Sequence, residues 1–408
     1  MRKMRWILVG ILLVALATGF GAGYRVGHSA AVPDRIVTEV VNRDQTGSGP
    51  AVDFGLFWQV WDKLHTLFVD SGNLDSQKLV YGAISGMVNA AGDPYTQFFP
   101  PVESQKFQEE VSGAFSGVGM EVGMRNNAIT VIAPIKDTPA MRAGIKAGDI
   151  VLKIDGQSVD SWSVDEAVNH IRGLKGTTVK LTMERAGVTA PLEFAIVRDT
   201  IKIPAVDWKL LNGHIAYLQI YEFNGNVDAE FNTAADAILK SGADRLIIDL
   251  RNNPGGLLDS AVNIAGWMME RDSLVVQEKL SDGTVTQLRA DGNAKLVTMR
   301  TIILVDGGSA SASEILAGAL HDIRGVRLVG VKTFGKGSVQ QLEDFFNGSS
   351  LKVTIAKWLT PNGISISETG IAPTDEIKMD PTDPKAKDWE YGTPGKDPQL
   401  DKALELSR

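Results

Sequence analysis

The sequence lacks cysteine entirely and has only five histidines among its 408 residues. The absence of cysteine excludes disulfides, thiolate nucleophiles and cysteine-based zinc sites. The net charge is −8, and no cluster of lysine and arginine occurs in the folded region, so DNA and RNA are not expected as partners. We expect no metal and no cofactor. Any nucleophile must therefore be an oxygen or a nitrogen atom.

The amino terminus contains an uninterrupted apolar run. Arg2, Lys3 and Arg5 precede a stretch without charge from Trp6 to Gly23. A signal peptide has an apolar region of roughly 7–15 residues and a spanning helix about 20, so the stretch favours a signal-anchor helix over residues 1–24. A cleaved signal peptide ending near residues 28–31 is the alternative. Either interpretation places the body outside the cytoplasm, on the periplasmic or extracellular side.

The length predicts two or three folded units after this segment. Residues 25–52 are polar and contain glycine, serine and proline, which is typical of a linker. Over residues 53–111 the helical spacing of Phe57, Trp61 and Leu64 predicts a small helical domain, with a turn at Gly92–Tyr95. Its apolar spacing fits either a homodimer contact or packing on its own chain.

Residues 112–200 form a mixed module in the sequence pattern. Alternation predicts a strand over Ala128–Pro134, a strand and turn over Asp149–Val159, and a helix over Ser163–Ile171. With the segment Thr138–Asp149, this module resembles a PDZ domain. The resemblance implies that an extended peptide adds as a strand and that its terminal carboxylate binds the loop of Gly117, Val118, Gly119 and Met120.

Arg172 stands where the helix of this module is expected to end. It could join the module to the catalytic core. The alternative is a cation that only complements the carbonyl end of the helix dipole.

From residue 201 to 385 the strand-like runs end in glycine-rich loops. Leu246–Leu250 precedes Asn252–Gly256, and Thr301–Val305 precedes Asp306–Gly308. This repetition predicts an α/β core whose functional loops lie at the carboxyl ends of its strands. We expect residues 386–408 to be a tail with a short helix over Pro398–Leu406.

Ser311 lies between a buried strand and a helix, where the free N–H groups of the helix start would favour developing negative charge. The amide of Ala312 is a natural oxyanion donor. The segment Ser311–Glu314 also reads as a capping box, in which the serine only caps the helix. These residues alone do not decide between the two interpretations.

A serine nucleophile needs a base, and the histidines offer none. Four of them fall in the linker or other modules: His28, His65, His170 and His214. His321 is on the same helix as Ser311 but roughly 15 Å along it. A desolvated lysine can act instead, and Lys336 lies between two glycines. Its segment could also be an exposed turn or a phosphate loop, although Gly337 occupies the hydroxyl position of a phosphate loop.

At this point the chain resembles the carboxy-terminal processing, or tail-specific, proteases from about residue 53 to its end. The matching pieces appear in the family's order: Gly92–Thr96, the PDZ signature, Asp249–Gly256, Gly308–Glu314, Gly335–Gly337 with Gln340, and Thr360–Ser365. The resemblance implies a catalytic core of the crotonase/Clp-protease type. It further implies that Ser311 is the nucleophile, Lys336 the base and Gln340 the side chain that orients the base, and that the backbone of Gly255 or Gly256 supplies a second oxyanion donor.

We therefore expect a serine endopeptidase that cleaves exported proteins at or near their C termini, with protein or peptide substrates as partners. A catalytically silent PDZ-containing scaffold tethered to the membrane is one alternative. A nucleotide-binding protein is the other.

Overall fold

The computed structural model describes residues 53–380, 382–384 and 386–408. The expected signal-anchor helix and the linker lie outside these ranges. The described chain divides into two compact units between Ile84 and Ser85.

The smaller unit is helical, but the division precedes residue 111, the end predicted for the helical domain. Helix α1 covers Gly55–Leu67, a 3₁₀ turn covers Ser71–Asn73, and helix α2, which crosses the division, covers Ser76–Asn89. Neither helix buries a residue. Whether the apolar side of α1 contacts a second copy stays a prediction.

The larger unit begins with a short strand and a helix and continues into the predicted mixed module. Its first elements are β1 (Gln97–Phe99), α3 (Pro101–Ser112), β2 (Ala114–Gly117), β3 (Met120–Arg125), β4 (Ala128–Pro134), α4 (Pro139–Arg142), β5 (Ile150–Ile154), β6 (Gln157–Ser158), α5 (Val164–Ile171), β7 (Thr178–Glu184), β8 (Leu192–Val197) and β9 (Asp199–Lys202). Strands β3 to β8 form one sheet around their own apolar core. The two predicted strand segments and the predicted helix of this module are confirmed. The hydroxyl of Ser163 caps α5 by accepting the Glu166 amide at 3.1 Å.

The strands β2 and β9 form a separate two-stranded antiparallel ribbon, in which Ala114 pairs with Lys202 and Gly117 with Asp199. The chain therefore enters the mixed module and leaves it through adjacent strands.

The remaining elements build the α/β core. They are β10 (Val206–Leu211), β11 (Ile215–Ile220), α6 (Val227–Lys240), β12 (Arg245–Asp249), α7 (Leu258–Met268), β13 (Leu274–Leu280), β14 (Val285–Arg289), β15 (Arg300–Val305), α8 (Ala312–Arg324), β16 (Arg327–Gly330), β17 (Ser338–Asp344), β18 (Ser350–Leu359), β19 (Asp375–Glu376), a 3₁₀ turn (Ala386–Asp388) and α9 (Pro398–Leu406).

Two sheets organise this core. In the first, β11, β12, β15, β16 and β19 are parallel neighbours, and β10 closes one edge antiparallel to β11. The second sheet is antiparallel and centres on β18, which pairs with β1, β13 and β17. The α/β class is thus confirmed.

The two faces of the parallel sheet bury different elements. Helices α6, α7 and α8 contribute to the main apolar core, and the C-terminal helix α9 packs with its Leu400 and Ala403 against Ile215, Ile247 and Leu304 in a smaller cluster. The tail helix was predicted over the same residues.

A buried ion network joins α9 to the parallel sheet. The Arg251 guanidinium, just after β12, contacts the carboxylates of Asp249 and Asp397, and both hydrogen-bond acceptors are buried with it. Asp249 also accepts the Tyr217 hydroxyl at 2.6 Å, and Asp397 caps α9 through the Leu400 amide. The C-terminal segment is therefore anchored to the strand that leads into the Asn252–Gly256 loop.

None of the helices in the described ranges combines the length and apolar composition needed to cross a membrane.

Candidate active site

Three loops meet at the carboxyl ends of the parallel strands β12, β15 and β16. The amide of Asn252 donates to Asp306 Oδ1 at 2.9 Å, and the amide of Ala310 donates to the Asn253 carbonyl at 3.0 Å. The amide of Phe334, in the third loop, donates to the Ser309 carbonyl at 3.0 Å. The predicted placement of functional loops at this edge of the sheet is confirmed.

The three serines of the second loop have different environments. Ser309 is buried and its hydroxyl donates to the Leu250 carbonyl, while Ser313 is buried and donates to the Asn253 carbonyl. Ser311 is only partly buried, and within the described residues its hydroxyl donates no hydrogen bond to a backbone carbonyl. The hydroxyls of Ser309 and Ser313 are therefore used in structural hydrogen bonds, which distinguishes them from Ser311. The amino-acid sequence without the family spacing could not distinguish the three.

The backbone at Ser311 has φ 54° and ψ −116°, a region that residues with a side chain rarely adopt. Such a conformation costs on the order of 1–3 kcal/mol and persists only where its surroundings enforce it. It places the nucleophile candidate at a sharp turn into α8.

Glu314 links the Ser311 segment to the Lys336 segment. Its side chain is fully buried, and Oε2 accepts the amides of Ser311 at 2.9 Å and of Lys336 at 3.0 Å. Oε1 accepts the Thr333 hydroxyl at 2.6 Å and the Gly335 amide at 2.7 Å. The capping-box arrangement is present, but the hydrogen bond made with good geometry is that of the Ser311 amide to the carboxylate. The backbone amides of Ser311 and Lys336 therefore donate to the same carboxylate oxygen, Oε2 of Glu314.

The Lys336 side chain is half-buried, with its Nζ 5.2 Å from the centre of the Tyr95 ring. Burial lowers the pKa of Lys336, and the positive charge of Lys352 lowers it further, whereas Glu314 and Asp93 act in the opposite direction. Its backbone carbonyl accepts the indole N–H of Trp358 at 2.9 Å. The amine thus lies in an environment that favours its uncharged form.

Gln340 lies on β17 and makes no hydrogen bond to Lys336 within the described residues. Its Nε2 donates to the hydroxyls of Ser338 at 2.8 Å and Thr354 at 3.1 Å. The expected orienting bond is absent from this arrangement. A role for its carbonyl oxygen stays a prediction.

The oxyanion candidates differ in whether their amides are already engaged. The Gly255 amide donates to Asn253 Oδ1 at 2.9 Å, so it is occupied. The amides of Ala312 and Gly256 donate no hydrogen bond in the described part of the chain. A methyl group at Gly255 would stand 2.7 Å from Ser311 Cβ and 2.9 Å from the Ala312 nitrogen. Glycine is needed there because the two loops touch.

The histidines form local contacts instead of a site. In each of the four described histidines, Nδ1 lies within hydrogen-bond distance of a backbone carbonyl two to five residues away: His65, His170, His214 and His321. The phosphate-loop alternative also fails, because Gly330–Ser338 connects two strands and no helix start follows Lys336. Within the described ranges, no group of three or more carboxylate and histidine side chains could hold a metal ion.

The predicted peptide-binding loop of the mixed module borders a groove. Gly117 to Val122 line it from one side, and Val168 and Ile171 of α5 line it from the other. The amides of Val118 and Gly119 donate no hydrogen bond in the described part of the chain. A strand and a helix thus flank a groove that ends at free N–H groups, as carboxylate capture requires.

The Arg172 side chain borders the same groove and reaches towards α3 and β2. Its guanidinium lies 3.1 Å from Glu109 on α3 and 4.5 Å from the centre of the Phe115 ring on β2. Both partners precede residue 201, so these two contacts do not reach residues 201–385. This is more than a helix-dipole contact.

Comparisons with known proteins agree with this division into modules. Residues 214–377 match the model of peptidase family S41, and residues 106–184 match the model of the PDZ domain. The chain is 36% identical over 375 residues to the carboxy-terminal-processing protease of Bartonella bacilliformis, covering 91% of this chain and 84% of the relative. The chain belongs to the carboxy-terminal processing proteases, a family of serine-type peptidases.

The chain is also similar to a second protease and to one solved structure. The carboxy-terminal processing protease CtpA of Bacillus subtilis is 40% identical over 305 residues, which span 75% of this chain and 65% of that relative. Among solved structures, the photosystem II D1 C-terminal processing protease is 29% identical with a TM-score of 0.47 and covers 80% of this chain and 89% of its own.

Some residues of the site were missed by sequence reasoning. Sequence reasoning places Glu314, Asp93 and Tyr95 in family motifs but gives Glu314 only a capping role and the other two only a turn. No motif in the sequence indicates Lys352, which lies in the long strand β18. The Gly92–Thr96 segment had been noticed as a family motif, and that motif was the available signal.

Proposed function

We propose that this chain is a serine endopeptidase in which Ser311 is the nucleophile and Lys336 the general base. The observation that supports it most is the shared carboxylate oxygen of Glu314, which accepts the amides of both residues. The half-buried lysine with a lowered pKa is the second support, since only an uncharged amine accepts a proton.

The reaction follows from these roles. Lys336 Nζ takes the hydroxyl proton as Ser311 Oγ bonds to the carbonyl carbon of the substrate. The amides of Ala312 and Gly256 donate to the resulting oxyanion and stabilise it. The Gly255 amide does not take part, because it already donates to Asn253 Oδ1. The C–N bond then breaks, and the Lys336 ammonium gives its proton to the leaving amine. Water, activated by the same lysine, hydrolyses the ester and frees Ser311.

The substrates we propose are exported proteins cleaved at or near their C termini. The groove between β3 and α5 supports recognition of a free carboxylate, since it ends at the unbonded amides of Val118 and Gly119. Gln340 would orient Lys336 through its carbonyl oxygen after a small rotation.

We further propose that the body works outside the cytoplasm, tethered by the apolar run Trp6–Gly23. The helices of the smaller unit, which bury no residue, would be the contact of a homodimer.

The test uses mass spectrometry of the products from a protein with a free, unstructured C-terminal tail. Ser311→Ala and Lys336→Ala should each reduce cleavage by about a thousandfold or more, because the two residues act as one unit. His321→Ala is the matched control and should leave cleavage unchanged. Persistent cleavage by Lys336→Ala would refute the base assignment, and tight tail binding without cleavage by the unchanged chain would favour a scaffold.

A further inference from the structure

The turn at Asp93–Thr96 is built into the site through β18. The Thr96 hydroxyl donates to Asp93 Oδ2 at 2.6 Å and accepts the Thr354 amide at 3.1 Å. The Asp93 carboxylate is also hydrogen-bonded by the Thr354 side chain. Since the Tyr95 ring lies against Lys336, the turn and the strand form one wall around the amine.

Lys352 occupies this wall two residues before Thr354. It pairs with Gln97 of β1 on one side and Leu342 of β17 on the other, so its backbone is fixed at the centre of the sheet. Its Nζ lies 5.5 Å from the centre of the Phe99 ring and 5.1 Å from that of Phe107. The cation is therefore held by two aromatic faces and does not need a carboxylate to keep its place.

The charges around the two lysines are unequal. Burial lowers the pKa of Lys352, while Asp93 and Glu110 of α3 act in the opposite direction and favour its charged form. Lys336 faces Asp93, Glu314 and the cation of Lys352. The carboxylate of Glu314 already accepts four hydrogen bonds, so its charge is largely satisfied. Neither lysine forms a salt bridge within the described ranges.

We propose that Lys352 is a positioning residue for the base, a fixed second cation that keeps the Lys336 amine uncharged near neutral pH. The inference rests on the proposed function of Lys336. Two ammonium groups that share one nearby carboxylate cannot both be charged without cost. Lys336, the lysine with the weaker compensation, gives up its proton.

The sign of the effect is fixed by this arrangement. Burial lowers the pKa of Lys336, and the charge of Lys352 adds to that lowering. Removal of the charge must raise the pKa of Lys336. Since the base works only without its proton, the acidic limb of the pH–rate profile must then move to higher pH.

The experiment measures kcat and KM against pH for an internally quenched peptide with an amidated C terminus. Lys352→Met keeps the unbranched stem between the two rings. We expect its acidic limb to move up by about one pH unit, so kcat/KM falls about tenfold at neutral pH and recovers at alkaline pH. Lys352→Arg keeps the charge and should retain the original limb. Lys357→Met, an exposed lysine on the same strand, should not shift it.

Two outcomes would overturn the inference. If the activity of Lys352→Met falls equally at every pH, Lys352 is only structural. If its KM rises while the pH profile of kcat is unshifted, Lys352 contacts the substrate.

A measurement without cleavage separates this inference from the proposed function: competitive acetylation of Lys336 against pH, read by mass spectrometry in full-length Ser311→Ala. An unchanged Lys336 titration with Lys352→Met added refutes the inference alone, whereas absence of cleavage by the unchanged chain refutes the proposed function.

Discussion

At the scale of single residues, Glu314 has a larger part than a helix cap. One buried carboxylate accepts the backbone amides of Ser311 and Lys336, a third amide and a hydroxyl. Both oxygens are needed as acceptors, because the four donors are divided equally between them. No neutral side chain of similar size offers the same set.

Glu314→Gln should therefore impair catalysis strongly. An amide group has one acceptor oxygen, so two of the four donors lose their partner and the two loops shift. We expect kcat to fall about a hundredfold, as displacements of about 1 Å can cause. The negative charge of Glu314 raises the pKa of Lys336, so its removal should also move the acidic limb to lower pH. The measurement is the pH profile of kcat, with the exposed Glu343→Gln as control; an unshifted limb with full activity would contradict the assignment.

The residues of the site were only partly predictable for a physical reason. Ser311 and Lys336 could be named because each stands in a glycine-rich turn and the family's spacing connects them. Glu314 has a local role that its neighbours explain completely, so nothing in the sequence indicated its long-range bonds. Lys352 sits in an alternating strand, and strand patterns do not tell which charged side chain faces a site.

At the scale of elements, helix α9 is fastened to the core by charge as well as by apolar contact. Arg251 is shared between Asp249 and Asp397, and the side chains of all three are nearly inaccessible to water. Burial alone would raise the pKa of Asp397, but its bonds to Arg251 outweigh this and the pKa is lowered. The carboxylate is therefore charged at neutral pH, and its stabilisation is lost only when the pH falls through that lowered pKa.

Asp397→Ala should destabilise the protein by about 3–5 kcal/mol, because it leaves the Arg251 charge buried with one partner. Urea unfolding at neutral pH measures the change. Glu405→Ala on the same helix removes an exposed pair with Lys402 and should change stability by about 1 kcal/mol or less. Equal unfolding midpoints for the two variants would show that the network does not fasten α9.

Regular elements were predicted best where their pattern is long. Strand β4 is predicted by its alternation and helix α5 by its amphipathic spacing. The three-residue strand β1 was missed because its extended form depends on β18, which lies more than 240 residues later. Partners so distant in sequence leave no local signal.

At the scale of the whole molecule, Arg172 is the residue for which we predict a coupling between peptide recognition and cleavage. Its side chain lines the groove and also contacts Glu109 of α3 and Phe115 of β2. Its ion pair is partly exposed, so it contributes little to stability by itself. A bound peptide would press on the same side chain.

We expect Arg172→Ala to lower the turnover of a full-length protein substrate by about fivefold or more, within the range of coupling energies between sites. Glu109→Ala should have the same effect, and the double variant should be no worse than either single one. Arg142→Ala, an exposed cation of the same module, is the control. Unchanged turnover in Arg172→Ala, or additive losses in the double variant, would show that the contact does not couple the two parts.

The ribbon of β2 and β9 has a consequence for how such a protein could change over time. Because Gly117 and Asp199 are paired neighbours, the ends of the intervening segment already lie side by side. A short link could replace the segment, or a different recognition module could be inserted, without lengthening the surrounding chain. If the module between β2 and β9 sets substrate selectivity, exchange of this one module changes selectivity without changing the chemistry of cleavage.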